Sequence, residues 1–222
     1  MFFCNLALTL LCAATLADGP RDRSVAAPQI VALGDSLTSG QGIGAAKAYP
    51  AVLQEFLDEA GLEFRMVNAG RSGDTATRAV RRLDLALEGD VRVLIVALGA
   101  NDGLRGVPVA QLKANLGRIV VEAQARGIAV LLCGMEALPV HGWDYSVAFH
   151  QAYRELAERY DVPLVPFMLM GVIGNGELMQ RDRVHPNAAG ARSIAANIWP
   201  YLKALLEDVV VAPSLRNPTP AR

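Results

Sequence analysis

Beyond residue 28 the chain alternates short, mostly apolar runs with longer segments whose apolar positions recur at helical spacing. The runs Gln29 to Leu33, Arg65 to Asn68, Val91 to Leu98, Ile128 to Gly134 and Val162 to Val165 read as strands. They carry little charge, as strands do when both sheet faces are covered. From Gln111 to Arg126, the side chains of Leu112, Leu116, Ile119, Val120 and Ala123 fall on one helical face, and Gly127 supplies a C-terminal stop. A second helix is predicted from Asp144 to Asp161, with Phe149, Ala152, Tyr153, Leu156 and Tyr160 along one side. A last helix is expected from about Asn187, a good N-cap, to Leu206. Five strands joined by helical crossovers predict a three-layer α/β/α sandwich around a five-stranded parallel sheet. In that architecture, sites lie outside the carboxyl ends of the strands.

The two ends of the chain differ from this pattern. Met1 to Ala17 (MFFCNLALTLLCAATLA) has no charged side chain and ends in small residues, the form of an export signal, although the usual basic residue before the apolar stretch is missing. The alternative is a start codon placed too early. The run is short for a bilayer span, and Leu11 before Cys12 does not suit lipoprotein processing. The expected layout is a signal over 1–17, a polar leader over 18–28, a single domain over 29–208 and a flexible tail over 209–222. The mature protein is expected to be periplasmic or secreted, with no stable membrane span. The proline-rich end APSLRNPTPAR motivates the tail.

Charge narrows the partners. With 21 Lys+Arg against 22 Asp+Glu, the formal net charge is −1, and no basic run provides a phosphate-binding stripe, so nucleic acid is excluded as the expected partner. Removing the signal removes Cys4 and Cys12. That leaves Cys133 at the end of an apolar run, where it reads as a core residue rather than a nucleophile.

Chemistry is expected where the strands end. The first strand runs directly into Gly34-Asp35-Ser36-Leu37, which puts a hydroxyl at the sheet edge, beside free N–H groups if a helix starts there. Taken alone, Ser36 reads equally well as a helix cap. The second strand leads into Asn68-Ala69-Gly70-Arg71-Ser72-Gly73-Asp74, where Gly70 lets backbone approach a ligand, or is simply part of a turn before a helix capped by Asp74. The third leads into Gly99-Ala100-Asn101-Asp102, which offers an amide that could equally be a turn residue. A serine hydroxyl needs a base. Of the three histidines, His141 and His150 lack an acid three residues before them, whereas Asp182-Arg183-Val184-His185 puts a carboxylate within reach of the His185 ring.

These four blocks, in this order, resemble those of the SGNH hydrolases, also called the GDSL family, over about Ile30 to Leu206. The stretches GANDGLRG (Gly99 to Gly106) and VPLVPF (Val162 to Phe167) are similar to a periplasmic branch with thioesterase, lysophospholipase and arylesterase activities. The resemblance implies a flavodoxin-like fold and an ester- or thioester-hydrolysing enzyme that uses no metal or other cofactor. It implies Ser36 as nucleophile, His185 as general base and acid, and Asp182 as the orienting acid. The oxyanion hole would be Ser36 N–H, Gly70 N–H and the Asn101 side chain. Leu104, Val107 and Leu138, with Met135 and Pro139, are expected walls for an apolar acyl group, or else ordinary loop packing. Asp35 and Asp102 are expected to hold their loops by hydrogen bonds. The substrate is expected to be a small-molecule ester or thioester.

Three other readings compete. A carbohydrate O-acetylesterase has the same fold with a shorter acyl pocket, and a binding module has the fold without turnover. Gly40-Gln41-Gly42-Ile43-Gly44-Ala45 matches a dinucleotide-binding pattern, but it does not follow the first strand directly, and the second strand ends at Asn68 rather than at an acid.

Overall fold

The computed structural model describes residues 27–216, with side chains to residue 209. The predicted signal and most of the polar leader lie outside the described residues. Five parallel strands, β1 (Gln29–Gly34), β2 (Arg65–Gly70), β3 (Val91–Ala97), β4 (Ala129–Cys133) and β5 (Leu164–Val165), form one sheet in the order β2-β1-β3-β4-β5. This is the predicted sandwich with a flavodoxin-like strand order. The apolar runs match the strands to within two residues, except that β5 is reduced to its last two positions.

The helices are α1 (Ser36–Ser39), α2 (Tyr49–Glu59), α3 (Ala76–Val80), α4 (Leu83–Ala86), α5 (Ala100–Leu104), α6 (Val109–Ala125), α7 (Trp143–Tyr160) and α8 (Ala188–Arg216). The chain moves from β1 outward to β2, then back across β1 to β3 and on to β4 and β5. Right-handed crossovers on opposite sides of β1 place their helices on opposite faces. Accordingly α2 packs on α8, while α6 lies between α3 and α7. Strands β1, β3 and β4 are buried along almost their whole length, whereas the edge strand β2 is only half-buried.

Asn187 caps α8 through its side chain, Oδ1 accepting from Gly190 N–H at 3.0 Å. Gly127 takes the left-handed conformation after α6 (φ 71°), as its place in the sequence predicts. Two expectations change. Helix α8 does not stop at Leu206 but runs to Arg216, so the first part of the predicted tail is helix. Asp74 does not cap α3. Thr75 does, and Asp74 instead pairs with the buried guanidinium of Arg82 at 2.7 Å. Arg82 also donates to Ala69 O (2.8 Å) and Gly34 O (3.0 Å), tying the carboxyl ends of β2 and β1 together.

Candidate active site

The strand order reverses between β1 and β3, and the loops at their carboxyl ends part there to leave a crevice. Asp35 follows β1 as the N-cap of α1, its Oδ1 accepting from Leu37 N–H at 3.0 Å. Ser36 is therefore the first residue of the helix rather than its cap. Its backbone N–H, one of the unpaired donors of a helix start, meets no protein acceptor among the described residues.

His185 arrives from the opposite end of the chain. Met179 and Pro186 form an antiparallel bridge, Gln180 N–H donates to His185 O (2.8 Å), and the turn between them passes through Arg183 in the left-handed region (φ 56°). Asp182 Oδ1 accepts from the backbone N–H groups of Val184 and His185, each at 3.0 Å, leaving Oδ2 at 2.7 Å from His185 Nδ1. These contacts, the His185 N–H first, hold the Asp182 carboxyl down to about 2. The Gln180 amide anchors this turn to the loop after α1, donating to Gln41 O at 2.7 Å and to Pro186 O at 2.8 Å. The Gly40 to Ala45 stretch thus serves as a loop that buttresses the histidine turn, separated from β1 by a helix.

His185 Nε2 lies 3.1 Å from Ser36 Oγ. In the tautomer that puts Nδ1–H toward Asp182, Nε2 accepts from the Ser36 hydroxyl, so the three side chains line up as carboxylate, imidazole and serine. His141 and His150 lie elsewhere: His141 near Leu104 O (3.3 Å), His150 on the exposed face of α7, paired with Glu136 at 2.6 Å.

Asn101 is delivered by β3 through Gly99, whose φ of 119° suits only glycine and where a Cβ would come within 1.9 Å of the Tyr153 hydroxyl. Its Nδ2 donates to Asp35 Oδ2 at 3.2 Å, while Oδ1 faces the Arg105 guanidinium at 3.5 Å. One amide hydrogen remains for the crevice. Asp35 is fully buried, and burial raises its carboxyl to about 6 against the lowering effect of its hydrogen bonds. Asp102 accepts from Ala76 N–H at 3.0 Å and is likewise raised by burial, so both acids hold loops as expected.

Gly70 does not join the group. Its N–H donates to Asn68 Oδ1 at 3.0 Å, and a Cβ there would lie 2.2 Å from Ser39 N, so the residue is a packing glycine under α1. Of the glycines after β2, it is Gly73, three residues on, that borders the crevice. Its φ is 79°, its carbonyl accepts from Arg105 at 3.1 Å, and its N–H has no protein acceptor among the described residues.

A cavity of about 350 Å³ opens beside Ser36, Asn101 and His185. Leu104 and Leu138 line it, as does Met135. Val107 does not: its carbonyl accepts from the Tyr145 hydroxyl at 2.9 Å and its N–H donates to Asp102 O, so the residue fastens the loop instead. Pro139 is likewise outside the lining, at the start of a short 3-10 turn. Leu169 and Ile173, from the stretch after β5, complete the apolar wall. That stretch shows no period in the sequence that marks it as a wall. Cys133 is buried, and burial pushes its thiol far up, as befits a core residue. No group of three or more potential metal ligands occurs among the described residues.

The model of the GDSL-like lipase/acylhydrolase family matches residues 32–192, which contain every element of this crevice. The chain belongs to that family. It is a hydrolase of ester bonds. Its relatives include the esterase TesA of Pseudomonas aeruginosa, 38% identical over 83% of this chain and 92% of the relative. The thioesterase 1/protease 1/lysophospholipase L1 of Escherichia coli K12 is 37% identical over 74% of this chain and 78% of the relative. Among solved structures, the psychrotrophic esterase EstA from Pseudoalteromonas sp. superposes with a TM-score of 0.76 at 32% identity, covering 81% of this chain and 98% of that one.

Proposed function

We propose that this GDSL hydrolase works through an acyl-enzyme on Ser36, and that it accepts esters and thioesters with an apolar acyl chain. The observation that carries the reading is the continuous relay Asp182–His185–Ser36, with steps of 2.7 and 3.1 Å, opening onto an apolar cavity. His185 Nε2 takes the hydroxyl proton as Ser36 Oγ attacks the acyl carbonyl. Asp182 keeps the ring in the required tautomer and stabilises the imidazolium. The negative oxygen of the tetrahedral intermediate faces Ser36 N–H, Gly73 N–H and the second Asn101 amide hydrogen, donors already in place before the reaction. The imidazolium then protonates the departing alcohol or thiol. Water, deprotonated by His185, attacks the acyl-enzyme, and the carboxylic acid leaves with Ser36 restored.

Thioester and lysophospholipid cleavage enter from the name of the E. coli relative, and they suit the walls built by Leu104, Met135, Leu138, Leu169 and Ile173. A carbohydrate O-acetylesterase would need no wall of that length. A binding module would have no use for an intact relay. Export to the periplasm or medium rests on the character of residues 1–17; no helix among the described residues is long and apolar enough to cross a membrane.

Hydrolysis of p-nitrophenyl esters from acetyl to palmitoyl, with Ser36→Ala as control, tests the reading. Serine-dependent turnover that peaks at medium or long chains is expected. Acetyl-only turnover would favour the sugar esterase, and none would favour the binding module.

A further inference from the structure

Arg82, the residue before α4, sends its guanidinium to the carboxyl ends of β1 and β2, where only 10% of the side chain is exposed. Each of its three nitrogens holds a different partner. Nε donates to the Asp74 carboxylate at 2.7 Å, Nη1 to Ala69 O at 2.8 Å and Nη2 to Gly34 O at 3.0 Å. An ion pair buried this far is weak ground for stability, because desolvating both charges offsets most of their attraction. What it supplies is geometry, since the guanidinium is a rigid fork whose donors diverge at fixed angles.

The turn that carries Gly73 is held by this fork. Asp74 N–H donates to Arg71 O at 3.1 Å, closing a β-turn with Gly73 in third place at a φ of 79°, a conformation that favours glycine there. At its first residue the turn is fastened by Arg71 N–H, which donates to Gly34 O at 3.0 Å. At its last residue it is fastened by the Asp74 carboxylate on Arg82, whose Nη2 donates to that same oxygen. Both ends of the turn are thus tied to one carbonyl, two residues before Ser36.

We propose that Arg82 is a positioning residue for ester hydrolysis, fixing the Gly73 turn against the start of α1 so that Ser36 N–H and Gly73 N–H converge on one oxygen. The role rests on the reading of those groups as oxyanion donors. Arg82 lies outside the cavity lining, so it acts on the transition state through these donors and not on substrate binding. Misplacing a group by about 1 Å in such a site costs on the order of 10²-fold in rate.

Steady-state hydrolysis of p-nitrophenyl butyrate by Arg82→Lys and Arg82→Met, with Ser36→Ala alongside, tests the role together with inhibition by an alkyl trifluoromethyl ketone. Ser36 Oγ adds to the ketone carbon, its proton passes to His185, and the resulting alkoxide needs the same two donors. A single ammonium cannot span the three acceptors, and Arg82→Lys keeps a charge beside Asp74 should Arg82→Met fail to fold. In the folded variants kcat is expected to fall about 10- to 100-fold with KM within about threefold, and the ketone inhibition constant to rise by a similar factor. A folded Arg82→Lys protein with parental kcat and ketone affinity overturns the role, as does a change confined to thermal stability or to KM. Turnover that survives Ser36→Ala would instead overturn the serine reading, and this role with it.

Discussion

The Asp35 carboxylate and the Asn101 side-chain amide meet at 3.2 Å across the carboxyl ends of two neighbouring strands, β1 and β3. Asp35 thereby orients the amide beside the serine that follows it, and it does so as a fully buried acid whose carboxyl is raised to about 6. A raised acid binds its proton more tightly in the folded chain than in the unfolded one. This group therefore favours folding at low pH and costs stability as pH climbs from the ordinary 3.8 to about 6. The Asp35→Asn variant keeps a cap acceptor for Leu37 N–H but sets one amide NH2 against another. Its kcat should fall about tenfold, while its stability at pH 7 relative to pH 4 should improve by about 2–3 kcal/mol over the parent. Urea unfolding at the two pH values reads the second effect.

Asp182 is the opposite case. Its carboxyl, held at about 2, contributes stability that is fully present above the ordinary 3.8 and fades as pH falls towards 2. Because the side chain is exposed, Asp182→Asn should fold normally by circular dichroism. It should lose about 10²- to 10⁴-fold in kcat, since the amide no longer accepts from Nδ1–H and the opposite tautomer is favoured.

Arg105 touches both Gly73 O and Asn101 Oδ1 from outside the cavity wall. Removing it in Arg105→Ala should loosen two groups proposed to face the oxyanion. A drop of about three- to tenfold in kcat with little change in KM is expected from steady-state kinetics, and Arg105→Lys should recover part of it.

Met135 is a buried part of the cavity wall. In Met135→Trp the added bulk shortens the space for an acyl group. The optimum in a p-nitrophenyl ester series should move to shorter chains, with acetyl ester hydrolysis kept within about threefold.

The sheet was legible because parallel strands buried on both faces must be apolar throughout, so β1, β3 and β4 stand out within one or two residues. The relay was legible because Asp182 and His185 are only three residues apart and Ser36 follows a strand directly. The glycine was not. Gly70 and Gly73 are both compatible with a turn after β2, and only the fold shows that Asn68 takes the N–H of one while the other borders the cavity. Val107 failed as a wall for a similar reason: its neighbours Asp102 and Tyr145 engage its backbone, and Tyr145 is remote in sequence. Leu169 and Ile173 went unseen because an irregular stretch has no period to reveal which side chains face inward.

On the proposed reaction, Ser36 carries the acyl group. Treating the enzyme with a fluorophosphonate that traps activated serines, and locating the adduct by peptide mass spectrometry, tests it most directly. A single adduct on Ser36 is expected, with loss of ester hydrolysis in step with its formation and no labelling of His185→Ala. An adduct on another residue, or near-native hydrolysis by a folded Ser36→Ala protein, would contradict it.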